Sequence, residues 1–103
     1  VDDHGVIAPT AAISSIVYTP NESMQVMRHF WSKKDKLFGK YGFYDAYSET
    51  EDWYPQRYLA IDQGTTAVMI ENHRSQLLWK LFMSHPDVQN GLKNLGFESP
   101  YLK

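Results

Sequence analysis

The chain has 103 residues, of which 43% are hydrophobic and 21% charged, with a formal net charge of −2. That length suits one domain with a modest core and leaves no room for a second, and the charge lacks the basic excess of a nucleic-acid binder. No apolar run approaches the ~20 residues of a membrane span, and the absence of cysteine excludes disulfides and thiolate chemistry.

In chain order, the sequence opens Val1-Asp2-Asp3-His4-Gly5 with no initiator Met, basic n-region or apolar h-region, so processing or truncation is expected upstream. Pro9 suits a first helical position, and the Ala-, Ser- and Ile-rich stretch 10–18 behind it predicts a helix packed closely on several sides. Thr19-Pro20-Asn21-Glu22 reads as a capping box, with Thr19 as N-cap and Glu22 reaching back. The stripe of Met24, Met27 and Trp31, with Val26 and Phe30 beside it, predicts an amphipathic helix to about Leu37 that stops near Gly39. Lys33, Lys34 and Lys36 fall where that helix ends, a place that favours cations.

From Lys40 to Pro55 helical periodicity is lost, and Gly42, Asp45, Asp52 and Pro55 punctuate a segment dominated by aromatics. This reads as a long structured loop with a short strand over 41–46, the first place to look for a site. Its aromatic cluster can serve as core or as a platform on which rings stack. A third helix is predicted from Asp62 to Arg74. Leu77 to Phe82 either continues it or forms a separate buried turn. His85-Pro86-Asp87 restarts a short helix carrying Val88, Leu92 and Leu95 inward, with Gly96 as C′ residue and Phe97 completing a Schellman motif. The predicted fold class is therefore all-α, about four helices with one long aromatic loop.

Carboxyl groups are the best candidates for chemistry. Asp45 sits among aromatics that could desolvate it, or it caps a loop turn. Asp62 is either an N-cap or an acid at the open end of a helix. Glu71 lies nine residues beyond Asp62, on the opposite face of one helix, so those two cannot act as a pair. Glu71 is read as structural, paired with Arg74 across one turn. The four histidines show no metal-ligand spacing, so no metal or other cofactor is called for. No serine nucleophile elbow is present.

Five stretches, in order, carry a resemblance: Asp3-His4-Gly5-Val6-Ile7-Ala8-Pro9-Thr10-Ala11-Ala12, Tyr41-Gly42-Phe43-Tyr44-Asp45-Ala46-Tyr47, Tyr58-Leu59-Ala60-Ile61-Asp62-Gln63-Gly64, Met69-Ile70-Glu71-Asn72-His73-Arg74 and Leu78-Trp79-Lys80-Leu81-Phe82. Together they resemble the C-terminal part of the glucoamylase-like glycoside hydrolases of the endo-β-1,2-glucanase type. The chain departs from that pattern at Gly64-Thr65-Thr66, where members often have Gly-Pro, and at His73, where they often have Tyr.

The resemblance implies an (α/α)6 toroid, of which this chain supplies the last two helical hairpins, with 10–18 and 62–74 as inner helices and 24–36 and 86–95 in the outer ring. It implies an inverting hydrolase acting on a β-linked glucan, exported to the periplasm or beyond. Asp62 or Asp45 would be the acidic group supplied here, and Tyr44, Gln63, Trp53 and Tyr47 would contact sugar. Twelve helices of ~11 residues plus connections need well over ~150 residues. The chain is therefore expected to be a C-terminal fragment of one catalytic domain, inactive alone, whose apolar faces are covered by the rest of the parent or by further copies of itself. The alternative is a non-catalytic sugar-binding or assembly module using Trp53, Tyr54 and the 43–47 aromatics.

Overall fold

Proline sets the start of three of the six helices in the computed structural model, which describes residues 2–102. Val1, where the expectation of upstream processing rests, lies outside the described residues. The chain divides after Ile70 into two compact units.

The first unit begins with strand β1 (Val6–Ile7) and helix α1 (Pro9–Ser14), which is shorter than the predicted 10–18 because it unwinds into turns closed by Ile16 N–H to Ile13 O and Tyr18 N–H to Ser15 O. Helix α2 (Pro20–Ser32) follows with Pro20 in its first turn. Thr19 is the N-cap residue, but its side chain does not cap: the hydroxyl donates to Ser15 O, no helix N–H donates to it, and the capping box does not form. Lys33 ends α2, and a separate turn, α3 (Lys34–Leu37), replaces the continuous helix expected to Leu37.

Strands β2 (Phe38–Gly39) and β3 (Gly42–Phe43) form a tight antiparallel hairpin in which Gly42 adopts φ +100°, a conformation that favours glycine. Strand β4 (Tyr47–Ser48) pairs back to β1, with Val6 opposite Ser48 and Ile7 opposite Tyr47. The single strand expected over 41–46 is thus replaced by β3 and β4 on either side of Asp45.

Helix α2 faces this loop with Phe30, whose ring meets Phe43 and Tyr47 edge-on at 5.8 and 5.9 Å, while Tyr47 stacks on Tyr54 at 5.6 Å. Edge-to-face and offset contacts of this kind add to the burial of large rings. Ile13, Phe30, Leu37 and Tyr47 form the buried core, with Met27, Phe43 and Tyr44 packed against it. Much of the aromatic cluster is therefore core. Helix α4 (Ala60–Ser75) starts two residues before the predicted Asp62, and its residues up to Ile70 complete this unit.

The second unit holds the end of α4, then α5 (Leu77–Ser84) and α6 (Pro86–Asn94). Gln76 takes a left-handed φ of 60° and breaks the helix, so Leu77 to Phe82 is a separate element. It is not a buried turn: α5 has no buried residue. These two breaks, at Lys33 and Gln76, turn four expected helices into six. The C-terminus of α6 is the predicted Schellman motif: Gly96 has φ +79°, its N–H donates to Lys93 O, and Phe97 N–H donates to Leu92 O. Glu71 and Arg74 form the expected ion pair, with Nε to Oε2 and Nη2 to Oε1 both at 2.7 Å. Arg74's hydrogen bond holds the Glu71 carboxyl below the usual carboxylate range.

Candidate functional site

The first turns of α1 and α4 are tied by hydroxyls. Thr10 Oγ1 donates to Asp62 O and meets Thr66 Oγ1, both at 2.9 Å, and Thr66 Oγ1 also bonds Asp62 O. Asp62 lies third in α4, inside the helix and not at its cap, with a half-buried side chain. The next residue, Gln63, reaches into the aromatic loop. Its Nε2 donates to Phe43 O at 3.0 Å and to Asp45 Oδ1 at 3.2 Å.

Asp45 is the most buried carboxylate among the described residues, 9% exposed. Its backbone N–H donates to Arg57 O, which fixes the main chain, and Gln63 fixes Oδ1. Oδ2 is buried with no hydrogen-bond partner among the described residues. Leaving a buried acceptor unmatched costs ~1–3 kcal/mol, and more for a charged one, so the arrangement calls for a donor supplied from elsewhere.

A cleft of about 470 Å³ opens beside this pair, walled by Ile13, Met27, Phe38 and Tyr41, with Thr10, Gln63 and Thr66 as its polar groups. Asp45 stands one hydrogen bond from that wall, through Gln63. The hairpin that forms the rim is pinned by Tyr58, whose hydroxyl donates to Gly42 O at 2.9 Å and accepts from Tyr41 N–H at 3.2 Å. Tyr44 is half-buried with its ring 5.2 Å from that of Tyr58. A side chain at Gly39 would collide with both tyrosine hydroxyls and push them from their places.

The remaining expected contacts lie elsewhere. Tyr47 is 2% exposed, and burial pushes its hydroxyl pKa up; it supports the loop from within the core. Trp53 is 46% exposed and lines a separate hollow of about 390 Å³ with His4, Val6 and Glu51. The end of α2 and the turn α3 hold the loop from outside: Glu49 accepts from His29 at 2.7 Å and pairs with Lys33 at 3.2 Å, and Lys36 of α3 pairs with Asp52 at 3.0 Å. Among the described residues no cluster of His, Asp or Glu could hold a metal ion. Tyr58 and Arg57 are not singled out by sequence, and Gly39 is read only as a helix stop. Their roles depend on contacts between residues far apart in the chain, and no local motif marks them.

A family described as "putative glucoamylase" matches residues 1–86. The chain belongs to this glucoamylase-like family. Within it, the chain is 45% identical over 94 residues to an exo β-1,2-glucooligosaccharide sophorohydrolase of Parabacteroides distasonis, a match covering 90% of this chain and 13% of that protein. Two solved structures share the fold closely. An endo-β-1,2-glucanase of Chitinophaga pinensis, in complex with sophorotriose and glucose, superposes with TM-score 0.93 at 67% identity over 97% of this chain and 24% of its own. A "putative glucoamylase" of Bacteroides caccae gives 0.91 at 72% identity, over 95% and 24%. The chain thus spans 13% of the curated relative and about a quarter of these glucoamylase-like structures.

Proposed function

We propose that the chain is the C-terminal part of a glycoside hydrolase that cleaves β-1,2-linked glucan by inversion, and that Asp45 is the acidic group it supplies. The observation that carries this reading is the Asp45 carboxylate itself: buried, held at Oδ1 by Gln63, and unpartnered at Oδ2. Inverting hydrolysis needs one carboxylic acid to protonate the leaving oxygen and one carboxylate to activate water across the ring. A carboxylate with one oxygen fixed and the other unpartnered suits the second task once water from the adjoining cleft reaches Oδ2, to which that water would pass a proton. The second carboxyl then belongs to residues beyond this chain. The names of the family relatives support the glucan as substrate.

Gln63 and the exposed rim aromatic Tyr41 face the cleft and would meet sugar directly. Asp62, half-buried on the same turn as Gln63, is the alternative acid. Substituting each by Asn in the full-length parent separates them. Asp45→Asn is expected to lower glucan hydrolysis by roughly 10²–10⁴-fold, the range of a lost general acid or base, and Asp62→Asn by much less. Unchanged turnover in both variants would sink this assignment.

One observation favours a second, additional reading. The half-exposed Trp53 indole, flanked by His4 and Glu51, is a surface on which a sugar ring could stack. Retained affinity for β-1,2-glucan in a Trp53→Ala parent would remove that role.

A further inference from the structure

We propose that Gln63 is the positioning residue for Asp45, an inference that rests on the hydrolase reading above and adds to it a specific source of the carboxylate's orientation. Two acceptors, the Phe43 carbonyl and Asp45 Oδ1, converge on one end of the Gln63 side chain. Only an NH2 group can serve both, so the amide nitrogen must be the inward end, with one hydrogen for each oxygen. The carbonyl end is then left on the side of Gly42, which lines the cleft with Gln63.

This has a mechanical consequence. The loop between β3 and β4 has Asp45 N–H bonded to Arg57 O, but that bond leaves the carboxylate free to turn about its own side-chain torsions. Gln63 removes that freedom at Oδ1 and ties Phe43 O by the same nitrogen, so the main chain two residues before the acid and the acid itself share one anchor. The backbone that carries the anchor is itself tied: Gln63 follows Asp62, whose carbonyl accepts from Thr10 and Thr66. A side chain that reaches across eighteen residues to fix one carboxylate oxygen leaves the direction of the other determined. Misplacing a reacting group by about 1 Å can cost ~10²-fold in rate, which is the scale on which such an anchor matters.

The test uses the full-length parent with Gln63→Met, Asp45→Asn, the double variant Gln63→Glu with Asp45→Asn, and Gln63→Glu alone. Gln63→Met keeps the length of the side chain and removes its donors. It is expected to lower kcat at least tenfold with only a few-fold rise in KM. Gln63→Glu should lower the melting temperature, because it sets two carboxylates against each other. Adding Asp45→Asn should recover part of the lost melting temperature, since the introduced amide can donate to the new carboxylate although the Phe43 carbonyl still faces it without a donor, while kcat stays as low as in Asp45→Asn alone. Wild-type kcat in Gln63→Met, or no thermal rescue in the double variant, would overturn the positioning role even if Asp45→Asn is inactive. Wild-type turnover in Asp45→Asn would instead overturn the hydrolase assignment of Asp45, and the thermal rescue would still report on the contact.

Discussion

The two units of this chain solve the burial problem in different ways. The first places Ile13, Ile16, Phe30, Leu37 and Tyr47 at 3% exposure or less, around one aromatic seam between α2 and the loop. In the second, Asn72 is the only residue buried to that degree among the described residues, and α5 and α6 have no buried residue. Leu81, Phe82, Leu95 and Phe97 are 60, 64, 75 and 59% exposed. That unit is held by local devices: the Schellman turn, the Glu71–Arg74 pair and the Asn72 side chain accepting from Trp79 N–H at 3.1 Å. Monomeric proteins seldom leave apolar side chains in such numbers without a partner. The relatives with the same sequence pattern are chains about four times as long. The first unit carries its own core; we propose that the second shares one with residues beyond this chain.

The largest expected effect would break this contrast at its strongest point. Phe30→Ala should cost ~3–5 kcal/mol in urea unfolding, whereas Phe82→Ala should change the isolated chain little and the full-length parent by a similar several kcal/mol. Equal effects of Phe82→Ala in both settings would contradict a shared core. Next in size, Asn72→Ala removes the acceptor for a backbone N–H and should cost ~1–3 kcal/mol, seen as early loss of helicity from the second unit. Gly39→Ala should cost a comparable ~1–3 kcal/mol by overpacking. It pushes on the Tyr44 and Tyr58 hydroxyls, so near-ultraviolet circular dichroism should report it from the first unit alone.

The smallest effect is electrostatic. His29's hydrogen bond, then Lys33's, lowers the Glu49 carboxyl. A lowered carboxylate stabilises the fold above its ordinary titration range, and that contribution is lost as pH falls through the lowered value. The difference in melting temperature between the wild type and Glu49→Gln should therefore be present at neutral pH and vanish in acid. It should be small, because Glu49 is exposed. Glu71→Gln should follow the same direction in the second unit, with Arg74 as the cause.

Local signals in the sequence are legible and non-local ones are not. Pro20, the Gly96 terminus and the Glu71–Arg74 pair each depend on neighbours within a turn or two, and each is in place. Of the Met24, Met27 and Trp31 stripe only Met27 packs on the core, beside Val26 and the buried Phe30, while Met24 and Trp31 are exposed. The breaks at Lys33 and Gln76 carry no proline or glycine to announce them. Thr19 has two partners within reach, and its hydroxyl takes the preceding carbonyl. Pairing of β1 with β4 and the bridge from Gln63 to Asp45 join distant segments, which periodicity cannot see. Asp45 and Gln63 are each candidates from sequence, but not as partners. Tyr47, expected at a sugar, is held in the core instead, because aromatic content alone does not separate a platform from a seam.

The most direct test of the shared-core account is the solution molar mass of the isolated 103-residue polypeptide by light scattering, beside that of the full-length parent. The account predicts self-association of the isolated chain, with a mass above that of one chain, and a well-behaved parent. A monodisperse isolated monomer that binds no hydrophobic dye would contradict it.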